Sequence, residues 1–333
     1  MYETRQLKDK IEIIDGLIEC PVLGCTNKLA KMKKKDVHSD EDRFKCIDNG
    51  ITFSGTTWYY RSWQQNILWN ADILAERILG KKAESRMNHD NSEDALTWNV
   101  FRGLQYSGTL ESILEEICGI KVTVQHVFYW STSADMGEGC RLLTMARDAF
   151  EARNGQQTEP DLIIVTDKIL FVIEAKFVSN NTRINLETMQ PSVLERHRKK
   201  CQNYETCGNN WFNEVFANNV HAVDIRRYEL MRMWLLGSWM ARESNRGFCL
   251  VNLVLHGKEV VAEKAFRNQI QEIPLNLDNG RKFVRYEWEG IYSAIKGRPG
   301  TYAKRLVCYF ESKSSGYSFN RSRGRLKHAF QVE

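Results

Sequence analysis

Proline is scarce in this chain, with five among 333 residues. No low-complexity linker and no internal repeat interrupts it, so a string of tethered modules or a solenoid is not expected. No apolar stretch approaches the roughly 18 residues that a membrane-spanning helix requires. Met1-Tyr2-Glu3-Thr4-Arg5-Gln6 leads into no apolar signal region, so a secreted chain is not expected. The nine cysteines are odd in number and widely scattered, which speaks against a disulfide framework. They read as reduced thiols of a cytoplasmic protein, some of them available to zinc. Nor does charge of one sign dominate: a net charge of +5 is compatible with nucleic acid without pointing to it. What is present is ordinary globular material, 42% hydrophobic and 27% charged, long enough for one large domain or two ordinary ones. The core reads as continuous from about residue 90 to the end. The expected division is a cysteine-containing, aromatic-rich module over residues 1–75 and a larger domain over 76–333.

One segment carries most of the functional information. Residues 158 to 176 read Thr-Glu-Pro-Asp-Leu-Ile-Ile-Val-Thr-Asp-Lys-Ile-Leu-Phe-Val-Ile-Glu-Ala-Lys. Two β-branched-rich runs separated by Asp167-Lys168 predict a β-hairpin. Symmetric pairing about that turn makes partner numbers sum to 335, which sets Asp161 opposite Glu174. Directly opposed residues have Cβ atoms about 5 Å apart, so both carboxylates can grip one divalent ion. Side chains alternate along a strand, so Glu174 and Lys176 share a face.

Charged groups among so many Ile, Val, Leu and Phe are costly unless paired or bound to metal. The chemistry they suit is metal-assisted phosphodiester hydrolysis. Carboxylates hold magnesium, the ion polarises the phosphate and acidifies water, and the lysine positions water or steadies transition-state charge. The alternative is a surface hairpin whose Glu and Lys form a solvated pair, although the flanks are more apolar than an exposed ribbon requires. Pro160, Asp161, Glu174, Ala175 and Lys176 resemble the pattern of the PD-(D/E)XK nuclease superfamily, the restriction-endonuclease-like enzymes. The resemblance implies that Asp161 and Glu174 bind magnesium or manganese and that Lys176 is catalytic. It also implies a restriction-endonuclease-like mixed α/β sheet flanked by helices over about residues 90 to 260.

Such nucleases often supply a further metal-binding or metal-orienting carboxylate from a helix before the hairpin, and Glu93 is the residue expected here. Leu96, Val100 and Leu104 fall four apart, with Ser92 as N-cap and acids in the first turn. Capping alone also explains Glu93 and Asp94. The run Glu93 to Phe101 is similar to a stretch in uncharacterised bacterial restriction-endonuclease-like proteins. Restriction or antiviral defence is thus a role implied by resemblance.

Before this helix, Cys20-Pro21-Val22-Leu23-Gly24-Cys25 looks like half of a zinc site, with Cys46 as a third ligand. The fourth is His38, with Asp48 as the lesser choice. Ordinary buried thiols are the other reading. A module so poor in large apolar residues between 15 and 57 usually needs a staple. The lysines from Lys28 to Lys35, including Lys33, Lys34 and Lys35, suit a phosphate backbone or a solvated loop. Trp58, Tyr59, Tyr60, Trp63 and Trp69 either stack on bases or, as four-residue spacings suggest, pack a helix onto its neighbour.

Past the hairpin, Leu194 to Tyr204 is helical and basic, with Arg198, Lys199 and Lys200 available to phosphates. Gln202 and Tyr204 are polar residues of the sort that line a nuclease site. Tyr228 to Ala241 predicts an apolar helix over the sheet, and Phe248 to Leu255 a buried strand parallel to that of Glu174. The basic end, with Arg323 and Arg325, forms a DNA-contacting arm or a polar terminus. The expected activity is therefore a metal-dependent endonuclease acting on DNA. A double-strand cut usually needs two active sites, so a homodimer is an expected partner. The rivals are a nuclease of the same fold on RNA or on single-stranded or branched DNA, and a nucleic-acid-binding module without catalysis.

Overall fold

Short strands recur through the first sixty residues in the computed structural model, which describes residues 1–31, 43–54, 57–69, 78, 87–133, 135–152, 157–181, 183–320 and 322–332. They are β1 (Lys10–Ile14), β2 (Leu17–Glu19), β3 (Lys28–Leu29), β4 (Phe44–Cys46), β5 (Ile51–Phe53) and β6 (Trp58–Tyr60). Helix α1 (Glu93–Tyr106) starts where Ser92 predicts: its hydroxyl accepts from the Ala95 amide at 3.2 Å. The aromatic run does not form the helix its spacing suggests. Trp58-Tyr59-Tyr60 is strand β6, and Trp63–Asn66 is a single 3-10 turn. Consecutive aromatic residues favour a pleated surface, and that preference prevails here over a four-residue spacing.

The chain then continues through α2 (Leu110–Cys118), β7 (Val124–Tyr129), β8 (Thr132–Ser133), α3 (Arg141–Phe150), β9 (Leu162–Thr166) and β10 (Ile169–Ala175). After these come α4 (Pro191–Val215), α5 (Tyr228–Glu243), β11 (Gly247–Val254), α6 (Val260–Arg267) and β12 (Arg281–Glu287). The last elements are α7 (Trp288–Ile295), α8 (Thr301–Ser312), β13 (Ser314–Asn320) and β14 (Arg323–His328). Two compact units result: Met1–Thr109 with Trp288–Glu333, and Leu110–Glu287. The boundary expected at residue 75 falls outside the described residues.

In the first unit, β13, β14, β1, β2 and β3 make one sheet, and β4, β5 and β6 another. The basic terminus is therefore no free arm. It is β14, paired with β1 through Lys10↔Arg325 and Glu12↔Arg323. Ile11, Ile18, Phe53, Trp58 and Tyr317 are among the residues of this unit's core.

The second unit is a mixed sheet in the order β12-β11-β10-β9-β7-β8. The hairpin forms as predicted: Leu170↔Val165, Phe171↔Ile164, Val172↔Ile163 and Ile173↔Leu162 all sum to 335. Strand β11 runs parallel to β10, and β12 parallel to β11. Parallel neighbours need a long crossover, which α4 and α5 supply between β10 and β11. Every residue of β9 and β10 is buried, as continuous apolar runs covered on both faces require. Helix α5 packs on β10 and β11, and Gly237 sets how closely. A Cβ there would lie 2.4 Å from the Phe248 ring. The β7–β9 register shifts between Val124 and His126.

Candidate functional site

The hairpin, the parallel neighbour β11 and the start of α5 assemble a charged site in the second unit. Asp161 ends its approach to β9 in a bend, and its Oδ2 accepts from the Ala175 amide at 2.8 Å. The aspartate thus reaches across the hairpin to the end of β10. Glu174 is 5% exposed, a charge embedded in an apolar strand. Lys176 Nζ donates to Glu174 Oε1 at 2.6 Å and lies 3.5 Å from Glu229 Oε2. The Lys176 amide extends the parallel ladder by donating to the Leu253 carbonyl at 2.7 Å.

Burial works against the ammonium form of Lys176, but the negative charges of Glu174, Asp161 and Glu229 outweigh it and hold the lysine above its ordinary range. Lys176 is consequently cationic at neutral pH.

Two residues of this site carry no clear signal in the sequence pattern. Glu229 occupies the first turn of α5, where an acid is expected simply as a partner for the helix dipole. Its Oε2 is buried and has no hydrogen-bond partner among the described residues. Asn252 pairs with Glu174 across β10 and β11 and is 0% exposed. Its Oδ1 accepts from Asn181 Nδ2 at 2.9 Å, while its Nδ2 is buried without a partner among the described residues. The available signal is one asparagine inside the apolar run Phe248 to Leu255, a costly choice without a polar purpose.

Other expectations find different surroundings. Tyr204 donates to Glu151 Oε1 at 2.7 Å, and Arg232 lies 3.9 Å from the same oxygen. Arg227 stands 3.9 Å from Glu259 and donates to the Asn181 carbonyl. Glu93 opens α1 directly after its N-cap Ser92. Arg198, Lys199 and Lys200 are exposed along α4. Arg323 and Arg325 are exposed on β14, with Arg323 3.3 Å from Glu12. Lys33, Lys34, Lys35 and His38 lie outside the described residues.

The predicted cysteines do converge. The sulfurs of Cys20, Cys25 and Cys46 lie within 4.8 Å of one another, and those of Cys25 and Cys46 are 3.9 Å apart. Thiolates on a tetrahedral zinc, each about 2.3 Å from the ion, are separated by about 3.8 Å, so the cluster can hold such a metal. Asn49 Nδ2 reaches Cys20 Sγ at 3.3 Å and Cys46 Sγ at 3.2 Å. Burial pushes the Cys20 thiol up to about 12. Burial also works to raise Cys46, but hydrogen bonds from the Asn49 backbone and from the Asn49 and Asn27 side chains bring it below its ordinary value. Asp48, the lesser choice for a fourth ligand, accepts instead from Asn27 Nδ2 at 2.8 Å.

Among the described residues, these cysteines are the one group of three metal-binding side chains drawn together so closely. The carboxylates around Lys176 form no such triplet among the described residues; Asp161 and Glu174 each have an oxygen engaged by an N–H donor. No family model matches the chain, and no curated protein or solved structure matches it.

Proposed function

We propose that this chain is a magnesium- or manganese-dependent nuclease of the PD-(D/E)XK kind, cutting DNA phosphodiester bonds in its second unit. On this reading the mixed sheet of Leu110–Glu287 is restriction-endonuclease-like. The observation that carries the reading is the cluster at Lys176, where Glu174, Asp161 and Glu229 all bear on one ammonium group. Hard oxygen donors suit a small divalent cation, and magnesium commonly takes only one or two protein carboxylates, filling its shell with water and substrate phosphate. The absence of a carboxylate triplet among the described residues is compatible with that mode. Asp161 and Glu174 would hold the ion. When bound, it would polarise the phosphate and make water at the scissile bond more acidic.

The chain's own groups divide the remaining work. Lys176, beside Glu174, would position the attacking water or steady developing negative charge on a phosphate oxygen. Glu229 positions Lys176 and helps keep it charged. Asn252 offers a buried donor beside Glu174. A role in restriction or antiviral defence, and a homodimer for double-strand cutting, follow from the resemblance alone.

Incubation with plasmid, single-stranded DNA and RNA, in magnesium, manganese or EDTA, tests the activity. DNA cleavage with either metal and none in EDTA is the expected result. Cleavage of RNA alone would move the substrate class, and binding without cutting would leave a nucleic-acid-binding module.

For the first unit we propose a structural zinc on Cys20, Cys25 and Cys46, with Asn49 beside the fourth corner. Asn49 stands three residues after Cys46, the Cys-x2-Cys interval common in structural zinc sites. Elemental analysis should find about one zinc per chain, the number one tetrahedral site holds. Asn49→Cys should complete a four-thiolate set and slow zinc loss to a chelator, whereas Cys25→Ser should lose the metal. Well-folded protein that never met a chelator and contains no zinc would return these thiols to ordinary packing.

A further inference from the structure

Trp58 and Tyr60 belong to the core of the first unit, so strand alternation turns Tyr59 to the opposite face. The register carries that face across the small sheet: Tyr59 pairs with Thr52, and Thr52 with Lys45. Two positions along the outer strands, the same face takes Arg43 before Lys45 and Arg61 after Tyr59. These residues and His89 line a pocket of about 420 Å³. Among the described residues that line it there is no carboxylate. Lys45 and Arg61 are exposed at its rim. The Arg43 guanidinium lies 4.7 Å from the centre of the Tyr59 ring, and His89 meets that ring edge-on with centroids 3.9 Å apart.

Arg43, Lys45 and Arg61, with no carboxylate among the described lining residues, favour an anion, and a guanidinium matches the paired oxygens of phosphate better than it matches chloride. The volume exceeds what a lone phosphate fills and falls in the range of pockets for nucleotide-sized ligands. An aromatic ring flanked by cations on an open sheet face is the chemistry that sequence-tolerant nucleic-acid platforms use. We propose that this face of β4, β5 and β6 binds the phosphodiester backbone of a nucleic-acid strand, with Lys45 and Arg61 on phosphate oxygens and the Arg43–Tyr59 stack against the adjoining nucleoside. The residues lining this site all belong to the first unit, and Lys176 belongs to the second. Its binding therefore stands or falls separately from nuclease activity.

The test is fluorescence anisotropy of a labelled 20-nucleotide single strand with the full chain, in buffer without added magnesium or manganese, over a salt series. The double reversal Lys45→Glu/Arg61→Glu should weaken binding about tenfold or more and flatten the log–log salt dependence by about 0.7 for each lost phosphate contact. Both positions are exposed, so its thermal unfolding should match the wild type. Lys45→Ala and Arg61→Ala alone should each show part of the loss. Unchanged affinity and salt slope in the double reversal would overturn the proposal. Displacement of the strand by adenosine monophosphate at equal nucleotide concentration would overturn the strand in favour of a free nucleotide of the same chemistry. A protein that binds the strand here but never cuts DNA would leave this inference standing while the nuclease reading fails.

Discussion

Two lysines, Lys313 wholly buried and Lys176 half-buried, have different surroundings. In the first unit, Lys313 lies 3.0 Å from Asp90 Oδ1, the two side chains being 1% and 0% exposed. Tyr60 donates to Asp90 Oδ1 at 2.7 Å and Ser314 to Oδ2 at 3.0 Å. One cation meets one anion, and hydroxyls take up the remaining lone pairs. In the second unit, Lys176 meets Glu174 at 2.6 Å and Glu229 at 3.5 Å, within the field of Asp161 as well. Here three carboxylates bear on one ammonium group, and a buried oxygen of Glu229 has no hydrogen-bond donor among the described residues. Both lysines are held above their ordinary range by acids that outweigh burial. A balanced, saturated pair is what a fold needs. A surplus of anions is costly to a fold and useful to a site that must attract a cation.

Substitution at the unbalanced centre should give the largest effect. Glu174→Ala, Asp161→Ala and Lys176→Ala are each expected to reduce cleavage by at least about a thousandfold, in line with removal of a principal transition-state stabiliser. Nucleic-acid binding and far-ultraviolet circular dichroism should be largely retained. Wild-type cleavage by the Asp161 or Glu174 variant would place the chemistry elsewhere. Loss of folding in all three would make this centre structural like its counterpart.

At the balanced pair the expectation is reversed, with a large loss of stability. Asp90→Asn leaves the Lys313 ammonium buried without a counter-charge, which should cost about 3–5 kcal/mol. Chemical denaturation followed by hydrogen exchange in Met1–Thr109 would read it. A cost below about 1 kcal/mol, the level of an exposed pair, would erase the distinction drawn between the two lysines.

Much of the second centre is legible in the sequence because it is local. A two-residue turn sets the register, and the partner sum of 335 carries Asp161 to Glu174 from residue numbers alone. The apolar run from Phe248 identifies the parallel neighbour by the same kind of local signal: continuous hydrophobicity marks a strand covered on both faces. What stays hidden depends on partners distant in sequence. Asp90 and Lys313 are 223 positions apart, and β1 closes on β14 through Lys10 and Arg325. No periodicity reports such meetings. Glu229 is visible but has a sufficient local explanation in the helix dipole. Tyr59 is masked by competing periods: a spacing of four between aromatic residues suggests a helix where the chain alternates with a period of two. The cysteines are legible from spacing, whereas Asn49 is not, because asparagine is not among the usual zinc ligands.

The surplus itself can be titrated by substitution. Glu229→Gln removes one negative charge without changing side-chain size, so the metal-free second unit should be as stable as the wild type or slightly more so. In the wild type, magnesium should raise stability by RT ln(1 + [Mg]/Kd), about 2.7 kcal/mol at a hundred times Kd. That gain should vanish in Asp161→Asn/Glu174→Gln and persist, reduced, in Glu229→Gln. If magnesium stabilises the double variant as much as the wild type, the carboxylates are not its site.

The smallest effect is expected at an acid that resembles neither centre. Glu287, at the end of β12, accepts from His256 Nδ1 at 2.7 Å and from Arg285 Nη2 at 2.6 Å, and its side chain is 25% exposed. Burial works to raise its carboxyl, but the hydrogen bonds from His256, Arg285 and the Gly257 amide prevail and bring it to about 2. A folded-state value below the unfolded one stabilises the protein above the unfolded carboxyl's ordinary value, near 4.5. That contribution is lost as pH falls through about 4.5 toward about 2. Glu287→Gln should therefore flatten the stability profile between those two pH values. Denaturation midpoints at several acid pH values would measure the slope. A variant with the wild-type acid slope would show that Glu287 is solvated like any surface carboxylate and that its three donors contribute nothing measurable.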